Sequence, residues 1–145
     1  MKNKIFPREN YDYWTSLKTR WGDMDGLRHI NHAAYLVYME SSRIEYYYSL
    51  GYETARWELE ESSILASMKI DYLKQVTHPT VLEIGQRITR IGQKSFDILT
   101  AIFKRGENDP VLQGLFTLVA YNYKLKKTIS VPGIIRDNSH PLDNK

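Results

Sequence analysis

From Ile30 to Leu50 no glycine or proline interrupts the chain, and Gly51 stands where a helix C-cap is expected. The spacing predicts one long helix. On a helical wheel Ile30, Ala33, Ala34, Val37, Ser41, Ile44 and Tyr48 fall within an arc of about 100°, which marks them as the face toward a sheet. Ala33, Ala34 and Ser41 are small and allow close approach. Tyr35, Met39, Tyr46 and Leu50 form a second apolar stripe on the opposite side, to be covered by a partner subunit or a ligand.

Around this helix the pattern is that of strands. Tyr13 to Trp21 alternates, with Tyr13, Thr15, Leu17, Thr19 and Trp21 on one side. Residues 52–62 read as a short second helix or a loop. Ile64, Ala66, Met68, Ile70 and Tyr72 then alternate against Leu65, Ser67, Lys69, Asp71 and Leu73. Val81–Ile91 follows a break at Thr77-His78-Pro79. Gly92-Gln93 makes a tight turn into Ser95–Lys104, where Phe96, Ile98 and Ile102 share a face. Gly106 to Pro110 leads into a long bent strand, Val111–Tyr123. Pro132 and the polar end DNSHPLDNK read as a surface tail. A strand, a long helix and four strands joined mostly by hairpins define an α+β class, with an antiparallel sheet of about five strands wrapped around a long central helix. At 145 residues one domain is expected over 1–145, with its core at about 13–132 and a short N-terminal lead-in.

Composition narrows the chemistry. The chain has no cysteine, which excludes disulfides, cysteine nucleophiles and thiolate zinc sites and agrees with a cytoplasmic location. No apolar run approaches the roughly 20 residues needed to span a bilayer, and MKNKIFPREN has no signal-like apolar stretch. The net charge of +3 is densest at Lys124, Lys126 and Lys127, which read as a solvated strand end and not as a nucleic-acid site.

The segment GDMDGLRHINH joins the first strand to the helix. It sets Asp25 a few residues before a helix N-terminus, where unpaired N–H groups point outward. A carboxylate beside ready-made anion donors suits acyl transfer. The His32 backbone N–H can stabilise an oxyanion without any dedicated side chain, and such a donor is worth roughly 3 kcal/mol of barrier. Taken alone, Asp25 reads as a turn or capping aspartate. Asp23 reads as a hydrogen-bond acceptor for loop amides, Asn31 as an N-cap and His29 as a loop-ordering residue. Asp23, Asp25, His29 and His32 are metal-ligand types, but they do not share one regular helix and no metal is expected. Glu40 reads as an i, i+3 partner of Arg43, and Tyr35 and Tyr38 as core or interface aromatics.

Arg20-Trp21, Asp23, Asp25, His29-Ile30-Asn31-His32, Tyr35, Tyr38, Glu40 and Arg43 stand in the register R-W-x-D-x-D-x-x-G-H-V-N-N-x-x-Y-x-x-Y-x-E-x-x-R. With that signature the chain resembles the hotdog-fold acyl-CoA thioesterases of the 4-hydroxybenzoyl-CoA thioesterase-like family. Ile70-Asp71-Tyr72-Leu73 resembles the family's second strand, and Arg90 to Phe96 resembles its third-to-fourth hairpin. The resemblance implies hydrolysis of an acyl-CoA to a free carboxylic acid and CoA, with Asp25 attacking or activating water and the His32 backbone amide polarising the carbonyl. It makes Glu40 the runner-up base. Asn31, Tyr35, Arg90, Lys94 and Ser95 become candidates for substrate and CoA binding. No cofactor is expected beyond the coenzyme A of the substrate. An acyl group on acyl carrier protein is the alternative substrate, and a non-catalytic acyl-binding protein the alternative role. The implied assembly is a homodimer or a dimer of dimers, a homotetramer. Two positions depart from the signature: Arg28 replaces a glycine, and His32 replaces the second asparagine.

Overall fold

The computed structural model describes residues 4–53 and 59–142. In chain order the elements are β1 (Tyr13–Lys18), α1 (His32–Leu50), β2 (Ser62–Tyr72), β3 (Val81–Ile91), β4 (Ser95–Lys104), β5 (Leu112–Asn122), β6 (Lys127–Thr128) and the short α2 (Gly133–Arg136). The sheet order is β1-β3-β4-β5-β2 with every neighbouring pair antiparallel, and β6 pairs with β5. β3, β4 and β5 follow one another as hairpins, whereas β1 and β2 form the two edges. α1 packs on the inner face, against β1, β3 and β4. This is the expected sheet around a helix, with β6 added.

Two expected boundaries move. The strand predicted over Tyr13–Trp21 stops at Lys18, and Trp21–Asp23 form a 3-10 turn. Trp21 therefore leaves the inward row of Tyr13, Thr15 and Leu17 and is 73% exposed. The second helix or loop expected over 52–62 falls partly on residues 54–58, which lie outside the described residues, and Ser62 already belongs to β2.

α1 has Asn31 at its N-cap and Gly51 at its C-cap in the left-handed region (φ 83°). Its orientation reverses the expected one. Tyr35, Tyr38, Met39, Ser42, Arg43, Tyr46 and Tyr47 are buried, while Val37 is 57% and Tyr48 53% exposed. The rings of Tyr35, Tyr38, Tyr46 and Tyr47 carry more apolar area than Ala33, Ala34 and Ser41 can offer, so they win the core. Tyr46 stacks on Tyr13 of β1 at 5.1 Å, and Tyr47 meets Tyr52 edge-on at 4.9 Å. Arg43 lays its guanidinium over the Phe116 ring of β5 at 5.1 Å, which lets a buried charge sit in an aromatic core.

β2 also breaks its expected alternation. Leu65 pairs with Leu118 and Ser67 with Thr117, so Ala66 is a bulge. Ile64 pairs with Val119 and Met68 with Phe116, which puts these two residues on opposite faces. β4 is buried on both sides. Phe96, Ile98 and Ile102 face α1, and Leu99, Ala101 and Phe103 join Tyr11, Phe6 and Leu142 on the outer face.

The polar C-terminal stretch lies at the surface over residues 137–142, as expected, but it is tied to the sheet. Ser139 bridges to Ile88, and the His140 N–H donates to the Ile88 carbonyl at 2.7 Å. Arg87 of β3, only 6% exposed, donates to the carbonyls of His140 (2.6 Å), Pro141 (2.6 Å) and Asn10 (2.9 Å). One guanidinium thus clasps both terminal segments. Arg87→Ala leaves these carbonyls without their donor and is expected to lower stability by about 2–3 kcal/mol. The measurement is the midpoint of urea unfolding, with faster proteolytic cleavage within residues 137–142.

Candidate active site

The link between β1 and α1 is two turns set end to end. The first is the Trp21–Asp23 turn. The second is a small hairpin in which Met24 pairs with Ile30, the Asp25 N–H donates to the His29 carbonyl (2.8 Å), and the Arg28 N–H donates to the Asp25 carbonyl (3.0 Å). Asp25 Oδ1 accepts from the N–H groups of Leu27 (2.9 Å) and His29 (3.3 Å), so the carboxylate closes its own turn. Asp25 is exposed, and its Oδ2 has no hydrogen-bond partner among the described residues. Arg28 holds φ at 63°, keeping at this position the left-handed backbone that a glycine would take without strain.

Beyond the hairpin, the buried Ile30 donates its N–H to Val76 (2.7 Å), and the Asn31 N–H donates to the Asp23 carbonyl (2.8 Å). Asn31 Oδ1 accepts from the Ala33 N–H at 2.8 Å, as its N-cap reading required. The first N–H of the helix, that of His32, has no partner among the described residues. It therefore remains a free donor at the positive end of a 19-residue helix.

A cavity of about 360 Å³ opens at this end, lined by His32, Tyr35, Tyr72, Leu73, Lys74 and Gln75. The Tyr72 hydroxyl donates to the His32 carbonyl at 3.1 Å, and the Tyr72 ring meets His32 and Tyr35 edge-on. Burial pushes the Tyr35 hydroxyl up to about 12. Asp25 is not among the lining residues. Tyr72, Lys74 and Gln75 were not singled out from the sequence. Tyr72 ends β2, Lys74 and Gln75 follow it in the chain, and no local spacing links them to the helix start.

Asp23 is held differently from Asp25. Its Oδ2 accepts from the Tyr38 hydroxyl (2.5 Å) and the Arg20 N–H (3.1 Å), and its Oδ1 lies 3.4 Å from the Arg20 guanidinium. Burial works against its charge, but the Tyr38 hydroxyl and the Arg20 groups outweigh that and hold the carboxyl below the ordinary range. Burial and this neighbouring carboxylate raise the Tyr38 hydroxyl in turn.

The remaining candidates lie elsewhere. The Glu40 side chain is 68% exposed and stands 3.9 Å from the Arg43 guanidinium. Arg90 grips Asp97 through two hydrogen bonds (2.8 and 3.0 Å) and donates to Ser95 Oγ (3.0 Å), while Lys94 reaches Thr128. Ser95 pairs with Val119, which pairs with Ile64. The stretch of β2 from Ile64 to Tyr72 is roughly 25 Å long, so within one chain Arg90, Lys94 and Ser95 are at the opposite end of the sheet from His32 and Tyr35. Among the described residues no three His, Asp or Glu side chains are grouped to hold a metal ion, and no helix is long and apolar enough to cross a membrane.

A family model described as the Thioesterase-like superfamily matches residues 19–138. The long-chain acyl-CoA thioesterase FadM of Escherichia coli (strain K12) is 25% identical over 126 residues, 85% of this chain and 93% of that protein. Among solved structures, the PA5185 protein from Pseudomonas aeruginosa strain PAO1 is similar with a TM-score of 0.83 and 25% identity, over 93% of this chain and 94% of that one. A thioesterase from Thermus thermophilus, complexed with coenzyme A and Zn, is similar with a TM-score of 0.74 and 26% identity, over 88% of this chain and 97% of that one.

A side chain in the left-handed region costs about 1–2 kcal/mol, and a glycine gives back about 0.4–1 kcal/mol of that as unfolded-state entropy. Arg28→Gly is therefore expected to raise stability by about 0.5–1 kcal/mol, measured by chemical denaturation.

Proposed function

The chain belongs to the thioesterase-like superfamily, and from that premise we propose that it hydrolyses acyl-CoA thioesters to a free carboxylic acid and CoA. One observation carries this reading. The cavity at the start of α1 is lined by His32, whose N–H is free, and the hairpin immediately before it carries a carboxylate with one oxygen pinned and the other open. The thioester carbonyl accepts from the His32 N–H. Asp25 Oδ2 takes a proton from water or attacks the carbonyl carbon itself. Either route gathers negative charge on the carbonyl oxygen, where the helix N-terminus stabilises it. The tetrahedral intermediate then collapses and releases the CoA thiolate, which picks up a proton. The water route leaves the carboxylic acid directly, whereas direct attack leaves an acyl anhydride on Asp25 that a water molecule hydrolyses to the carboxylic acid and the free aspartate.

The acyl-CoA activity in FadM's name and the coenzyme A in the Thermus structure support a CoA thioester as substrate. Asp25 is preferred to Glu40 as base because Glu40 stands beside a buried guanidinium, well along the helix. Thiol release from a panel of acyl-CoAs tests the reading. Asp25→Asn is expected to lower kcat by at least about 100-fold, and His32→Ala to leave it within about threefold, because only the backbone is used. Equal slow release by wild type and Asp25→Asn would leave an acyl-binding role without catalysis.

The working unit on this reading is a homodimer joined along β2. That edge exposes Ile64, Leu65, Met68 and Tyr72, an apolar strand border that natural proteins cover or pair. Antiparallel pairing of two such edges brings the partner's Arg90–Ser95 hairpin to the same end of the joined sheet as this chain's cavity. That arrangement reunites the candidate CoA-binding residues with the candidate catalytic ones. Met68→Asp is expected to convert the dimer to a monomer in light scattering at micromolar concentration and to reduce hydrolysis with it. A wild-type monomer under those conditions overturns the dimer.

A further inference from the structure

The hairpin that carries Asp25 is tied at its base, but its tilt against α1 needs a second point. Through its main chain it is fixed at Met24–Ile30, at Ile30 to Val76 and at Asn31 to Asp23. Among the described residues, the side-chain hydrogen bond that reaches this loop from the body of α1 is the one from Tyr38 to Asp23, at 2.5 Å. Tyr38 lies seven residues after Asn31, roughly 10 Å along the helix axis. Both bonds end on Asp23, one on its carbonyl and one on its carboxylate, so this one residue is held from two points of α1 that lie about a turn and a half or more apart and cannot swing about either. The bond is charge-assisted and short, in the range of an O–H donating to a carboxylate. Asp23 is also well placed to pass the restraint on. Its side chain meets α1 and Arg20, its carbonyl holds the N-cap residue Asn31, and it stands two residues before Asp25. The Tyr38 ring is itself immobilised, buried and edge-on to Tyr35 at 6.1 Å.

We propose that Tyr38 and Asp23 are a pair of positioning residues. Their hydrogen bond sets the hairpin of Asp25 against the N-terminus of α1, and so sets the carboxylate relative to the His32 N–H. The catalytic consequence rests on the reading of Asp25 given above; the mechanical one does not.

Tyr38→Phe removes the hydroxyl and keeps the ring. It is expected to lower kcat by about 10–100-fold, with KM within about threefold. Asp23→Asn is expected to give a similar loss, and the double variant no more than either alone. Amide hydrogen exchange in Tyr38→Phe is expected to quicken at least about tenfold at Asp25, His29 and Asn31 and to stay unchanged in β3 and β4. Unchanged exchange in the hairpin overturns the pair, as do additive losses in the double variant or a kcat within twofold of wild type despite faster exchange. If wild type releases no CoA from any substrate, the thioesterase reading fails, and amide exchange alone decides whether the pair holds the loop.

Discussion

A row of tyrosine rings on one side of α1, buried against the antiparallel sheet, decides where every other part of this molecule stands. Tyr46 stacks on β1, Tyr47 meets Tyr52, and Arg43, about one turn earlier on the helix, lies over Phe116 of β5. The rotation of the helix about its own axis follows from these contacts. That rotation aims Tyr38 at Asp23 and Tyr35 at Tyr72, and turns Val37 and Tyr48 outward. A half-turn of the helix would bury the small residues instead, leaving voids that alanine and serine cannot fill.

With the helix seated, its N-terminus meets the end of β2, and His32, whose N–H has no partner among the described residues, lines a cavity there. The two aspartates before it show how environment separates like residues. Asp23 takes hydrogen bonds from a tyrosine and an arginine and is held ionised as a structural joint. Asp25 closes a turn with one oxygen and leaves the other open. A carboxylate saturated with donors is a poor base, whereas one that is pinned but half free is oriented and still able to act.

The two edges of the sheet are treated differently. At the β1 side, where β3 runs on past its partner, Ser139 and His140 continue the pairing, with Arg87 clamping the segment down. The β2 edge carries a bulge at Ala66 and a row of exposed apolar side chains. Apolar, unpaired strand borders of that length invite pairing with another strand.

The long helix with its caps at Asn31 and Gly51, the β3-β4 hairpin, the turn at Gly106 and the class of the fold were all legible in the sequence, because each depends on neighbours close along the chain. So was the loop between β1 and α1 as a run of turn and cap residues, since these declare themselves locally. The face of α1 that is buried was not legible. A tyrosine counts as half polar in a periodicity, yet its ring dominates once a sheet is there to receive it. Nor was the partnership of Tyr38 with Asp23, the arrival of Tyr72 at His32, or the clasp of Arg87 on residues 53 and 77 positions away. Local sequence determined which segments are helix, strand and turn. Only the tertiary structure decided which side chains meet, because those contacts are chosen by competition for one shared core.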